Sequence, residues 1–187
     1  MRHPRHISAR RGASSRQKPK AYTNERPDAL ELMARLLVSG SYRVPVAGTG
    51  TRPGLASTDI AAACGYMRSR LGREVALAVA MRTERAELSR VAGRAYLRCR
   101  RALRMMRPQT TLDFALPADR WRLRMIVYDA LTELVHPEKR RPYRVLAKST
   151  KMRAGEYTRA HKVVTAELQE LMNNARREFA ARLWGAP

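Results

Sequence analysis

The apolar positions of this chain recur every three or four residues through most of its length, which is the spacing of one helix face. The longest such segment spans about 155–183, where the repeat runs from Tyr157 to Leu183. Proline residues separate several segments, as Pro108 and Pro137 do. No convincing strand and no internal repeat are found. The pattern therefore predicts an all-α fold, a multi-helix bundle with a long last helix.

The predicted helices share an apolar stripe and are separated by proline, glycine or polar residues. They cover about 27–39, 59–64, 69–82, 84–107, 117–136, 142–150 and 155–183. Residues 41–56 and 108–116 are predicted loops. The glycine-rich part of the first loop lacks the Gly-Lys-Ser/Thr ending of a phosphate-binding P-loop, so that function is not expected.

Charge adds the strongest indication of function. The chain of 187 residues carries 38 Lys and Arg against 16 Asp and Glu, a net charge of +22. A compact chain this basic repels itself unless a polyanion or counterions lie against it. Arg dominates the cations, and its planar fork matches phosphate oxygens and the edge of guanine, which favours nucleic acid over a membrane surface. We expect no membrane partner and a cytoplasmic protein.

Residues 1–24 contain seven Lys and Arg, no acid and little to bury. We predict a disordered basic arm here, which is either a solubilising tail or a segment that tracks phosphates or enters a minor groove. Residues 25–187 are predicted to form a single helical DNA-binding domain.

The segment 142–168 contains a short apolar helix, a break at 151–155 and a longer helix, which is the pattern of a helix-turn-helix. Lys151 stands at the turn position that is often glycine. An ordinary helical hairpin with a solvated basic face is the alternative. The expected DNA-binding residues are those around the turn and on the outer face of the second helix: Arg140, Arg141, Arg144, Lys148, Lys151, Arg153, Glu156, Thr158, Arg159 and Lys162. Arg159 would read guanine, and the surrounding cations would hold phosphates.

Two further segments are candidates for secondary nucleic-acid contacts. In the segment 57–75, Ala61 and Gly65 have helix-turn-helix spacing, with packing alone as the alternative. The helix over 84–107 carries an Arg stripe with almost no acid after Glu87, so its charges are expected to have no partner within the helix. Their mutual repulsion costs stability unless phosphate or acidic protein lies against them. The candidate residues of the two segments are Arg68, Arg70 and Arg73, and Arg90, Arg94, Arg98 and Arg101.

Catalysis finds little support in the sequence. His161 lies within a helix, where it is expected to pack near Tyr157 and Val164. Cys64 and Cys99 are expected to be buried thiols. No His, Cys or carboxylate spacing suggests a metal or a nucleophile–base pair. The sequence therefore predicts no enzyme, no metal and no cofactor.

The C-terminal half, LAKSTKMRAGEYTRAHKVV followed by ELQELMNNARREFAARLW, resembles small phage helix-turn-helix transcription regulators. In size, basicity and this C-terminal unit it is similar to Q-type late-gene antiterminators, over roughly residues 117–184. One class of that family carries a cysteine-rich zinc motif, which this chain lacks. The resemblance implies binding to promoter DNA and to RNA polymerase or a sigma factor.

We therefore expect a sequence-specific binder of double-stranded DNA that regulates transcription and is associated with the nucleoid of a bacterial host cell. A phage antiterminator that acts on RNA polymerase is one form of such a regulator, beside an activator or a repressor. Such a regulator is expected either to form a homodimer or to dock RNA polymerase through Leu168–Leu183. The alternatives are an RNA-binding or packaging protein similar to a small terminase subunit, and a structural component of a ribonucleoprotein.

Overall fold

The computed structural model describes residues 28–35, 55–105 and 111–185, and in these ranges it contains helices and no strand. The all-α prediction is confirmed. The predicted basic arm at 1–24 and most of the predicted loop at 41–56 lie outside the described residues. The α-helices are α1 (Ala29–Ala34), α2 (Ser57–Gly65), α3 (Arg70–Ala80), α4 (Arg85–Met105), α5 (Pro117–Val135), α6 (Tyr143–Ser149) and α7 (Ala154–Trp184). A short 3₁₀ helix, Pro137–Lys139, follows α5.

Helix boundaries follow local signals in the sequence. Asp28 caps α1, because its carboxylate accepts a hydrogen bond from the backbone N–H of Leu30. Pro117 occupies the first turn of α5, where its missing N–H costs nothing. The helix predicted over 69–82 is shorter in the structure than in the prediction, because α3 ends at Ala80. Arg82 then adopts a left-handed conformation with φ of 48°. That conformation cannot continue a right-handed helix.

Helix α7 is the longest element, with 31 residues and a length of about 46 Å. The sequence pattern predicts its buried face correctly. Seven of the eight residues predicted for that face are buried, and Leu183 at the end of the helix is partly buried. The buried seven are Tyr157, Ala160, Val164, Leu168, Leu171, Ala175 and Phe179.

The apolar core has two parts, and α7 contributes to both. The larger cluster joins α3, α4, α5, α6 and the first half of α7, with fully buried Leu123, Ile126 and Leu168 among its members. The smaller cluster joins α1, α2 and α3 to the second half of α7, where Phe179 packs with Leu32. The helices are thus held as layers around one long central element.

The segment between α4 and α5 also belongs to the core. Leu112 and Phe114 are buried in the larger cluster although they lie in the predicted loop, which has no helical periodicity. Two apolar residues two positions apart in a non-helical segment do not show the spacing of a helix face. Their burial could therefore not be predicted from the sequence pattern.

A polar contact is buried between α5 and α7. The Tyr157 hydroxyl donates to the Asp129 carboxylate at 2.9 Å, and both side chains are buried. Burial raises the pKa of Asp129, and the hydrogen bond from Tyr157 and the charge of Arg141 oppose that rise. The Arg141 guanidinium lies 3.6 Å from the second carboxylate oxygen.

Replacing Tyr157 with Phe should destabilise the fold by about 1–3 kcal/mol, because the buried Asp129 carboxylate loses a hydrogen-bond donor while keeping its desolvation cost. The measurement is urea unfolding at neutral pH. In a Tyr157→Phe/Asp129→Leu double variant, much of that loss should be recovered, since both polar partners are then gone. Equal stability of the wild type and Tyr157→Phe would contradict this account.

Candidate nucleic-acid interface

The interface begins with α6, the turn 150–153 and the first three turns of α7, which we call the α6–α7 unit (residues 143–164). Leu146 and Ala147 are buried on α6. The Thr150 hydroxyl, fully buried, donates to the carbonyl oxygen of Leu146 or Ala147, both at 3.1 Å. These contacts fix the end of α6 against the core.

Lys151 makes the turn between the two helices. Its φ is 54°, in the left-handed region, and the N–H of Met152 reaches back to the carbonyl of Ala147 at 2.9 Å. This is a helix C-terminal motif that usually places glycine at the left-handed position. The structure therefore places Lys151 at the turn position that the sequence analysis assigned to it.

Arg122 of α5 holds this turn from the side. Its guanidinium donates to the carbonyl oxygens of Thr150 and Lys151, each at 3.2 Å. The same group pairs with the buried Asp119 carboxylate at 2.6 Å, and Asp119 accepts the N–H of Asp113. The sequence did not predict this role of Arg122, because the sequence pattern of a helix does not show whether an Arg faces solvent or another element.

The buried side of the α6–α7 unit contains a polar aromatic cluster. His161 is buried and lies 4.8 Å from the Tyr143 ring and 5.6 Å from the Tyr157 ring, measured between centroids. Its Nδ1 is 3.3 Å from the Thr165 hydroxyl, and its Nε2 is 3.6 Å from Glu133 of α5. Burial lowers the pKa of His161, an effect that the Glu133 carboxylate opposes. His161 thus packs near Tyr157, as the sequence predicted.

The outer side of the unit carries cations without acidic partners among the described residues. All six are exposed, and they lie on α6, in the turn and on the outer face of α7. They are Arg144, Lys148, Lys151, Arg153, Arg159 and Lys162. Arg153 provides no side-chain cap for α7, so the first N–H groups of that helix add a partial positive charge at the same place.

Two of the predicted cations, Arg140 and Arg141, contact acids within the protein. Arg140 pairs with Glu133 at 3.0 Å and lies over the Tyr143 ring. Arg141 approaches Asp129. Both remain more than half exposed, at 59% and 61% of the side chain. They connect the segment before α6 to α5, and a phosphate would have to share them with those acids.

Glu156 and Thr158 occupy the first turns of α7. Glu156 and Thr158 are partly exposed, and the Thr158 hydroxyl donates to the carbonyl of Ala154 at 2.8 Å. Arg159 is exposed, and its only described polar contact is a long one, 3.4 Å, to the carbonyl of Gly155. The Arg159 guanidinium is therefore exposed on the outer face of α7 and has no acidic partner among the described residues.

The candidates around α2 and α3 are placed differently. The Arg73 guanidinium donates to the carbonyls of Cys64 and Gly65 at 3.2 Å, which caps the end of α2. Arg70 pairs with Glu74, and Arg68 is exposed beside α7, where its backbone N–H donates to Glu178. The three residues do not form one free basic face.

The expectation that the four candidate arginines of α4 have no partner within the helix is wrong for Arg90, and among the described residues it holds for Arg94, Arg98 and Arg101. Arg90 pairs with Glu87 within the helix at 3.3 Å. Arg94 pairs with Glu74 of α3, and Arg98 pairs with Glu167 of α7. Arg101 is exposed and has no acidic partner among the described residues. Acids on α3 and α7 thus neutralise Arg94 and Arg98, and the sequence of α4 alone could not show them.

The described residues contain no group of three or more His, Cys, Asp or Glu side chains that could hold a metal ion. Cys64 and Cys99 are free and buried, and burial raises the pKa of Cys99 to about 12. None of the described helices has both the length and the apolar character needed to cross a bilayer. No protein-family model, curated protein or solved structure matches the chain.

The lowered pKa of His161 makes stability dependent on pH in a defined direction. Because the unfolded state takes up a proton at a higher pH than the folded state, stability is full above about pH 6.5 and falls as the pH drops below that value. A His161→Phe variant keeps the aromatic packing and should lose this dependence. Urea unfolding between about pH 8 and about pH 5.5 should show a steeper loss for wild type than for the variant.

Asp129, whose pKa is raised in the folded state, acts in the opposite direction and gains stability as the pH falls toward its unfolded value of 3.8. It is present in both proteins, so it cancels in the comparison. Parallel pH profiles of wild type and His161→Phe would contradict the assignment to His161.

Proposed function

We propose that the α6–α7 unit is a helix-turn-helix and that the protein is a sequence-specific double-stranded DNA-binding regulator of transcription. One observation carries the proposal. Six exposed cations without acidic partners surround a turn that is fixed from inside by Arg122 and Thr150. A solvated basic face needs no such fixed turn, whereas a helix that reads bases must be held at a defined angle.

In this proposal the first turns of α7 enter the major groove. Arg159 would donate its fork to guanine, and Thr158 and Glu156 would contact neighbouring bases. Arg144, Lys148, Lys151 and Arg153 would bind phosphates on either side and set the register of the protein on the duplex. The uncapped start of α7 would face a phosphate as well.

The first test is selection of bound sequences from random DNA duplexes and random RNA in parallel, followed by affinity measurements on the selected site. We expect enrichment of one duplex motif. Enrichment of RNA instead, or of no sequence, would overturn the proposal in favour of an RNA-binding, packaging or ribonucleoprotein component.

On the selected duplex, Arg159→Ala should cost about 1–3 kcal/mol, which is roughly 5- to 150-fold in Kd, and should cost little on random duplex. Arg182→Ala, which removes an exposed charge near the far end of α7, is the matched control and should change neither affinity appreciably. An equal loss on both duplexes would show that Arg159 contacts phosphate and does not read a base.

Lys151 and Arg82 form a matched pair, since each adopts a left-handed conformation at the end of a helix, with φ of 54° and 48°. Lys151→Gly and Arg82→Gly should each stabilise the fold by up to about 1 kcal/mol, because glycine removes the steric cost of the left-handed conformation. Part of this gain is lost, since glycine loses more conformational entropy on folding than other residues do. Lys151→Gly should also reduce the slope of log affinity against log salt by about 0.9, while Arg82→Gly should leave it unchanged. Thermal unfolding and binding at several salt concentrations measure both effects. The same change of slope in both variants would remove Lys151 from the interface.

A further inference from the structure

Helices α4 and α5 pack against each other and run antiparallel, and arginine and aromatic side chains meet at one end of the pair. At the other end, the His136 ring contacts the carbonyl of Thr83 at 3.2 Å. At the groove end, Arg124 of α5 lies over the Tyr96 ring, with 5.4 Å from guanidinium carbon to ring centroid. Phe114, from the segment before α5, lies beneath the end of α4. We call the surface that Tyr96, Phe114 and the arginines over their rings form between the two helices the α4–α5 groove.

Arginine side chains line the groove. Arg100 and Arg104 of α4 lie 5.7 and 6.0 Å from the Phe114 ring centroid. Arg104 and Arg124 are exposed, and Arg101 and Arg120 lie exposed on the same two helices. None of the five has an acidic partner among the described residues. Residues 106–110, which follow α4 in the sequence and lie outside the described ranges, include no Asp or Glu.

The groove also contains buried donors without an acceptor. The Tyr96 hydroxyl and the Arg100 Nε are both buried, and neither has a hydrogen-bond partner among the described residues. Tyr96 is 8% exposed. A buried donor without an acceptor destabilises the fold, so a groove with two of them is expected to gain from an external acceptor.

The two flanks of α4 differ in a way that supports a ligand here. On the flank that faces α3 and α7, Arg94 and Arg98 are neutralised by Glu74 and Glu167. On the flank that faces α5, the arginines stack on aromatic rings and stay charged. Close arginines repel one another unless an anion lies between them. The fold thus supplies acids to one flank and leaves the other to a partner.

The groove lies close to the α6–α7 unit across a single helix. Arg122 contacts the turn at Thr150 and Lys151. Residues two positions apart on a helix are separated by about 200° around its axis. Arg120 and Arg124 therefore lie on the side of α5 opposite to Arg122. One helix diameter, about 10 Å, therefore separates the groove from the turn.

We propose that the α4–α5 groove binds backbone phosphates of the DNA that flanks the segment held by α7. The choice of duplex DNA rests on the proposed function. The cations are arginines, whose forks bind phosphate oxygens in pairs, and Tyr96 and Arg100 supply further donors. The contact would be independent of sequence, since phosphates carry no base information.

The test compares two double variants that remove the same charge. Arg104→Ala/Arg124→Ala alters exposed groove residues, and Arg177→Ala/Arg182→Ala alters exposed residues near the end of α7 as the matched control. Binding to a random-sequence duplex is measured at several salt concentrations, with thermal unfolding as the check of folding. The groove variant should lower the slope of log affinity against log salt by about 2, and the control should leave it close to wild type. The ratio of affinities for selected and random duplexes should be unchanged.

Equal slopes in the two double variants would overturn the proposal. Another outcome is that the two double variants show equal slopes of log affinity against log salt, while only the groove variant binds a poly-glutamate peptide more weakly than wild type. This result would assign the groove to an acidic protein partner. The use of a random duplex separates this result from the proposed function. If selection finds no DNA motif while the groove variant still loses salt dependence, the groove binds phosphates and the helix-turn-helix proposal fails by itself.

Tyr96→Phe gives a second measurement that keeps the net charge. Loss of the hydroxyl should weaken random-duplex binding by roughly five-fold, the value expected for one hydrogen bond. Folding should be unaffected or improved, because an unpaired buried donor is removed. An unchanged affinity would show that the hydroxyl meets no phosphate and would overturn the inclusion of Tyr96 in the groove.

Discussion

The shortage of acidic side chains constrains this whole structure. With 16 acids to offset 38 Lys and Arg, the fold cannot neutralise every cation, and where the acids lie decides which surfaces stay positive. Glu74 and Glu167 lie where α4 meets α3 and α7, and Asp119 lies beneath the turn that precedes α7. The acids hold helices together at their contacts, because an ion pair there offsets repulsion that packing alone would have to overcome. The outer face of the α6–α7 unit and the α4–α5 groove receive almost none.

The turn before α7 shows how a binding surface and a stable core can be joined. Arg122 reaches the turn from the buried side and contacts two carbonyl oxygens that would otherwise lack partners. Lys151 takes the left-handed conformation that glycine would adopt at lower cost. A lysine at this position adds a positive charge where we propose that DNA binds. The strained backbone of Lys151 and the proposed phosphate contact therefore lie at the same residue, as is common at functional sites.

The sequence predicted what depends on local periodicity and missed what depends on contacts between distant segments. The buried face of α7 could be predicted residue by residue because apolar positions on one helix repeat. The partners of Arg94 and Arg98 lie 20 and 69 residues away, so the sequence of α4 alone made the stripe appear unpaired. Leu112 and Phe114 lack periodicity altogether. For the candidate site, the unpaired cations at 144–162 could be found from composition, whereas the role of Arg122 required its neighbours in space.

The length of α7 has a consequence for how the protein can be divided. Its first half, with Tyr157 and Val164, packs in the larger apolar cluster, and its second half, with Phe179, closes the smaller one. A fragment that holds only the α6–α7 unit would expose the apolar side of α7 on which α5 and α4 pack. The surface that we assign to DNA therefore depends for its apolar support on helices that come before it in the chain.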